Sequence, residues 1–402
     1  MLTMKSSIFR PTLAAGIKFK NRIIRSATHE GMADEQGFPT EKLKNLYIRL
    51  AKGGAGAIIT GYASTQQDGK SSLFAMNMID SDDCIPKYRE VTNAVHQYET
   101  PIIMQVAHCG RQTRSKTTGL QTVASSPLRD GFYSEDLPKA LSEKEIYKII
   151  DNFVSAIARV KHAGFDGVQL HLAHGYLLAE FLSSYSNRRN DKWGGSLENK
   201  YRIIDEIFKR AKKQVGEYPI LVKLNAHDKC KNGMRIEEAV QIAKMLEKSG
   251  CAAIEVSCGF FENGLYTMRS EKLPVDAIMK YNFKYKNLPK IIKVIAKPIL
   301  KKIIKQPLPL LKYNLDSATR IKNSINIPVI VVGGINNIDD INSIIDKEDI
   351  DFVSMSRPFI IEPNIVNKLH KGTQTKSKCI MCNYCAILGE EKSLRCYHGK
   401  LS

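Results

Sequence analysis

Three residues that handle protons crowd into one stretch, GVQLHLAHGYLLAEFL: His171, His174 and Tyr176. Two imidazole N–H groups can hold a single carbonyl oxygen while a phenol passes a proton to an atom beside it. Any one of them alone reads as a satisfied core residue. Their position changes that, because they follow the apolar run 165–170, and such a run reads as a buried parallel strand with chemistry at its carboxyl end. Two further polar residues interrupt runs of the same kind, Gln105 in PIIMQVA and Lys223 in PILVKLN. A buried amide without a partner costs about 1–3 kcal/mol, and a buried ammonium needs an anion or a carbonyl, so each must face a partner.

The elements needed to position these groups alternate along the chain. Strands are expected at 22–27, 56–60, 101–107, 165–170, 219–224, 252–257, 328–332 and 351–355. Helices are expected between them at 40–52, 83–98, 142–162, 196–215 and 235–250, with Ser196 as an N-cap. This alternation points to a (β/α)8 barrel, in which the carboxyl ends of the strands form the active face. Residues 8–20, IFRPTLAAGIKFK, read as a hairpin turning at Gly16 that covers the opposite end. Gly333 and Gly334 follow the seventh strand, and Ser356 and Arg357 follow the eighth. Loops at those places commonly cradle a phosphate with exposed N–H groups and a guanidinium.

At 402 residues, one such barrel with additions accounts for the length. No apolar run approaches the ~20 residues that span a bilayer, and MLTMKSSIFRPTL lacks the apolar block of a secretory signal, so a cytoplasmic protein is expected. The formal charge of +19 suits a polyanion partner without selecting one, and lysine supplies most of it. Between 259 and 315 lies an enlarged basic connection whose Lys and Ile-Leu-Val pattern suggests short amphipathic helices punctuated by Pro. It is open to four readings: a lid, a subunit contact, a membrane-surface segment, or a lysine-solvated excursion.

Of nine cysteines, Cys379, Cys382, Cys385 and Cys396 crowd the end of the chain, which argues for a reducing compartment rather than a disulfide framework. Two CxxC steps sharing a cysteine, with a distant fourth, suit an iron–sulfur cluster. Zinc, or free thiols, stay open as alternatives.

The text HLAHGYLLAEFLS followed by SNRRNDKWGGSLENKYR resembles the Old Yellow Enzyme family of FMN-dependent ene-reductases, as does KNRIIRSATHEGMAD at the first strand. The resemblance covers roughly residues 8–370, the enlarged connection excepted. It implies a flavin barrel over 1–370 in which His171 and His174 hold the substrate's carbonyl oxygen and Tyr176 supplies the proton. It further implies that backbone groups of Ser26, Ala27 and Thr28 approach the flavin and that the loop at Gly61 and Tyr62 touches its ring, although the family often has Ala at the latter position. Gln105 would pair with the pyrimidine edge, Lys223 would lie against the N1–C2 carbonyl edge, and Gly333, Gly334, Ser356 and Arg357 would take the phosphate. His29 falls beside the reactive flavin edge and is otherwise a surface residue. His108 and Arg111 match a pattern near the substrate entrance and otherwise read as a surface ion pair.

The tail, 371–402, resembles the four-cysteine [4Fe–4S] site of the 2,4-dienoyl-CoA reductase branch, but each of its last two intervals is one residue shorter. No GxGxxG follows a strand here, so a nicotinamide-binding Rossmann domain is not expected. Electrons would come from NAD(P)H directly or from a separate electron-donor protein, and the substrate would be a small activated alkene. A homo-oligomer is compatible with all of this. Two rivals are an RNA-modifying FMN barrel of the dihydrouridine-synthase kind, whose N-x-G-C-P loop is absent, and a non-redox barrel acting on a phosphorylated metabolite.

Overall fold

A strand with both faces covered must satisfy a helix layer on one side and the barrel interior on the other, and the eight long-range strands here do so. The computed structural model describes residues 7–131, 134, 136–260, 264–271, 274–303 and 307–400. Parts of the 112–140 loop and of the 259–315 connection therefore lie outside the described residues. Strands β1 (Thr12–Ala14) and β2 (Ile17–Phe19) form the expected hairpin, with Gly16 at φ 74° in its turn. Then come β3 (Ile23–Arg25), β4 (Ala57–Ile59), two short additions β5 (Ala63–Ser64) and β6 (Asn77–Met78), and β7 (Ile102–Ala107). In the loop after β7, β8 (Val123–Ala124) pairs with β9 (Lys139–Ala140). The series ends with β10 (Gly167–Leu172), β11 (Ile220–Asn225), β12 (Ile254–Ser257), β13 (Val329–Val332) and β14 (Phe352–Met355).

Parallel pairing runs β3–β4–β7–β10–β11–β12–β13–β14 and returns from β14 to β3, which closes an eight-stranded barrel. The fold is the (β/α)8 barrel expected. The central strand begins and ends two residues later than the apolar run suggested, so His171 lies within it. Helices follow the strands where periodicity put them. Thr40 and Ser196 cap theirs, and Ser142 makes a capping box with Glu145.

Side chains alternate with a period of two, and the barrel interior is therefore layered. Nearest the amino ends of the strands, Ile24, Ile59, Ile103, Leu221, Ile330 and Phe352 pack on Ile17 and Phe19, so the hairpin plugs that end. The next layer is polar throughout: Ser26, Gln105, Gln169, Lys223, Glu255 and Ser354, each buried. Above it stand His171, Asn225 and Ser257. The site is the upper part of this stack.

Two readings need correction. His108 and Arg111 are not a surface ion pair: each is 1% exposed, with Arg111 Nη1 donating to the Arg129 carbonyl. The 112–140 loop folds over them, which no local signal announces. The connection does form short helices, Gly264–Thr267, Val275–Tyr281 and Lys290–Ile303, the last holding Pro298. Lysine alone does not solvate its outer face, because that last helix turns apolar side chains outward.

Candidate functional site

Both partners that burial demanded are present. Lys223 Nζ lies 3.1 Å from Glu255 Oε2 and donates to Ser26 Oγ at 3.0 Å. Gln105 Nε2 donates to Gln169 Oε1 at 2.7 Å, and Gln169 Nε2 donates to Glu255 Oε2 at 2.9 Å. The hydroxyls of Ser26 and Ser354 complete the set on Glu255 Oε1, at 2.6 and 2.7 Å. Burial by itself would raise the Glu255 carboxyl; Lys223 and these donors outweigh it and hold the group below its ordinary range. One carboxylate thus gathers four donors on the floor of the barrel mouth. Glu255 and Gln169 escaped the sequence reading although their signal, a polar residue inside an apolar strand, was the one that found Gln105 and Lys223.

Above this floor is a cavity of about 180 Å³ to which every barrel strand, or the loop just after it, contributes. Ser26, Ala27, Thr28, Tyr62, Gln105, His171, His174, Lys223, Gly333, Gly334, Ser356 and Arg357 all line it. His29, half-buried and donating from Nε2 to Phe74 O at 2.8 Å, lines it too. Gly61 and Tyr176 do not. Gly61 lies behind the wall, its N–H donating to Glu30 Oε1 at 2.8 Å, and Glu30 also takes Arg25 Nη2 (2.8 Å) and the Tyr47 hydroxyl (2.9 Å).

Tyr176 stands one ring deeper than its neighbours. Its centroid is 4.7 Å from His171 and 5.2 Å from Tyr62. Tyr62 presents its ring to the cavity and donates to Ser71 Oγ at 3.3 Å. Burial raises the Tyr62 phenol well above its ordinary value, so it holds its proton. The position where resemblance leads one to expect Ala therefore carries the phenol that meets the cavity.

The two imidazoles are neutral. Burial lowers both well below 6.5; for His171 the neighbouring His174 and Lys223 add to this, and for His174 Lys223 does. The backbone N–H of Ala173 donates to His171 Nδ1 at 3.2 Å, which places the imidazole proton on Nε2. His174 Nε2 pairs with Ser257 Oγ at 2.7 Å, and its backbone, at φ 62°, is held by Asn225 Oδ1 on its N–H at 3.2 Å.

On the phosphate-type side, a Cβ on Gly333 would meet the Tyr313 ring at 2.6 Å, and one on Gly334 would meet the Leu310 carbonyl oxygen at 2.3 Å. Only glycine lets the connection seat against this loop. Arg357 Nη1 donates to Arg269 O (2.8 Å), Asn383 Oδ1 (2.7 Å) and Met381 O (3.3 Å), tying eighth strand, connection and tail together. Thr28 Oγ1 and Ser356 Oγ are 2.7 Å apart across the β3–β14 seam.

The tail docks on the mouth. Leu394 N donates to Glu30 O at 2.7 Å, Phe74 N donates to Gly389 O at 3.2 Å, and Glu362 takes the Lys378 N–H at 2.7 Å. Cys379, Cys382, Cys385 and Cys396 border one small cavity together with Arg357 and His398. Among the described residues, however, no group of three or more His, Cys, Asp or Glu side chains is set to hold a metal ion. The all-thiol donor set bordering that cavity suits an iron–sulfur cluster.

A closed parallel barrel with a polar-floored cavity at its strand tips, imidazoles and phenols on the wall, and a glycine loop beside an arginine is the architecture of a barrel enzyme with its site at the strand ends. Residues 7–301 and 302–376 match the NADH:flavin oxidoreductase / NADH oxidase family, and the chain belongs to it. It is 33% identical over 401 residues to an NADH oxidase of Thermoanaerobacter brockii, covering 98% of this chain and 56% of that protein. The chain thus spans about half the length of that relative. A 4,4'-dithiodibutanoate disulfide reductase of Rhodococcus erythropolis is 28% identical over 385 residues, covering 94% and 92%. In fold, the chain is similar to 2-naphthoyl-CoA reductase in complex with 2-naphthoyl-CoA (TM-score 0.82, 22% identity, 98% of this chain and 57% of that one). It is likewise similar to the old yellow enzyme homologue from Zymomonas mobilis (0.73, 24%, 94% and 96%).

Proposed function

We propose that this chain is an FMN-dependent ene-reductase that uses NAD(P)H to reduce an activated alkene, such as an enone or enoyl compound. FMN, when bound, supplies the hydride chemistry. The chain's own residues bind, orient and move protons. Gln105 and Lys223 meet the polar edge of the ring, their side chains aimed by Gln169, Ser26 and Glu255. Gly333, Gly334, Ser356 and Arg357 close on the phosphate.

On the substrate side, His171 Nε2–H and His174 donate to the carbonyl oxygen. Being neutral, they draw electron density from the alkene without adding a charge of their own, and donors fixed by the barrel act without reorganising. The α-carbon takes its proton from the phenol of Tyr176 or of Tyr62, whose ring centroids lie 5.2 Å apart. A single observation carries this reading: the imidazoles, Tyr62, Gln105, Lys223 and the glycine loop face one cavity. The family membership leaves neither the RNA-modifying nor the non-redox reading with an observation in its favour.

The reading extends to the tail, where Cys379, Cys382, Cys385 and Cys396 are proposed to hold a [4Fe–4S] cluster, with zinc as the alternative. No electron step is assigned through it; iron, acid-labile sulfide and zinc analyses decide between them. The flavin reading is tested by the visible spectrum of the purified protein and by anaerobic titration with NADH and NADPH before adding an enone. Folded protein that stays colourless after incubation with FMN would overturn it.

A further inference from the structure

The helix Lys290–Ile303, KIIKVIAKPILKKI, is amphipathic in the wrong sense for a helix resting on a globular core. At 3.6 residues per turn, positions 291, 294, 295 and 299 share one arc. That arc points away from the protein: Ile291 is 72% exposed, Val294 68%, Ile295 59% and Ile299 49%. The half-buried side carries Lys293, Ala296, Lys297 and Leu300. Its lysines are taken up internally, Lys293 Nζ donating to Lys286 O and Lys297 pairing with Asp276 at 2.7 Å. A solvated surface helix would be turned the other way, because leaving β-branched aliphatics in water forgoes their burial while tying lysines inward gains little.

We infer that this helix docks the protein onto an anionic lipid surface, lying in the interface with its isoleucine and valine side chains below the headgroups. Three observations choose that occupant. Lys290 and Lys301 are exposed along one edge of the apolar arc, placing cations at headgroup level. The whole chain carries a formal charge of +19, which complements an anionic surface. A second copy of this chain fits worse, since an antiparallel two-fold contact brings the same patch against itself and sets Lys290 of one copy near Lys301 of the other. The helix lies on the surface rather than spanning: among the described residues no helix is long and apolar enough to cross a membrane. The same connection supplies Thr267, Met268 and Tyr313 to the cavity, so docking and substrate access share one segment.

Flotation of the full chain with vesicles tests this. Binding is expected to vesicles containing phosphatidylglycerol, to be much weaker on phosphatidylcholine alone, and to fall as salt is raised. The variant I291S/V294S/I295S/I299S, whose side chains are exposed and outside the cavity, is expected to lose flotation and keep its thermal midpoint. K290E/K301E is expected to weaken flotation at least about 25-fold, from roughly five-fold per lysine removed. Absence of flotation at low salt would overturn the inference. So would flotation that the lysine variant abolishes and the apolar variant leaves intact, which would mean charge alone. A concentration-dependent dimer in sedimentation that the apolar variant dissolves would also overturn it, in favour of a second copy. None of these readouts depends on catalysis.

Discussion

Replacing Lys223 by Met strands a carboxylate on the barrel floor, and the size of the effect follows from the geometry. At 3.1 Å, with the side chains 4% and 0% exposed, the attraction is about 5 kcal/mol at an effective dielectric of 20, comparable to the several kcal/mol that each buried ion loses in hydration. The intact pair is therefore close to neutral for stability, while breaking it from one side costs about 3–5 kcal/mol. Lys223→Met is expected near the lower end, because Ser26, Ser354 and Gln169 still donate to Glu255. Glu255→Leu is expected near the upper end, because those donors are orphaned along with the ammonium. The double variant K223M/E255L should fall short of the sum of the singles by about 3 kcal/mol, read as urea midpoints at neutral pH. The pH profile adds an independent sign. In the native protein the depressed Glu255 carboxyl contributes stability that is present above its unfolded value, ~4.3, and lost as pH falls through the folded value. In K223M its largest opposing charge is gone, burial wins, and stability should instead fall as pH rises above the unfolded value of ~4.3. Additive single effects within ~0.5 kcal/mol, or a K223M profile parallel to the native one, would refute the reasoning.

Tyr62→Phe and Tyr176→Phe should each lower alkene reduction by about 10²-fold or more while sparing flavin reduction by NAD(P)H, as expected for general-acid groups; unchanged turnover in Tyr62→Phe would leave Tyr176 acting alone. Both imidazoles are held well below 6.5, so the unfolded chain binds protons that the folded one refuses, and stability should fall as pH drops below ~6.5. The double variant H171N/H174N should flatten that slope, measured by thermal midpoints across the acid range. Gly334→Ala, at φ 69° and with its Cβ 2.3 Å from Leu310 O, should cost about 1–3 kcal/mol and weaken FMN retention, seen by gel filtration of the loaded protein.

The sequence by itself determined the barrel and most of what faces its mouth. Apolar runs broken by Gln105, Lys223, His171 and the Gly333-Gly334 pair report burial plus chemistry at the strand ends, and local capping at Thr40, Ser142 and Ser196 sets where helices begin. Only the tertiary structure decided who answers whom. Gln169 and Glu255 sit far along the chain from Gln105 and Lys223, and the register of β7 with β10 and of β11 with β12 sets each pair side by side. The depth of Tyr176 behind Tyr62 was equally hidden, since sequence spacing fixes neither ring's distance from a cavity. So was the outward turn of the Lys290–Ile303 helix, whose periodicity shows that one face is apolar but not which way it points. The physical reason is common to all three: a periodic pattern encodes the alternation of environments along one element, whereas partners and orientation depend on which strands pair, in what register, and on what the loops place over them.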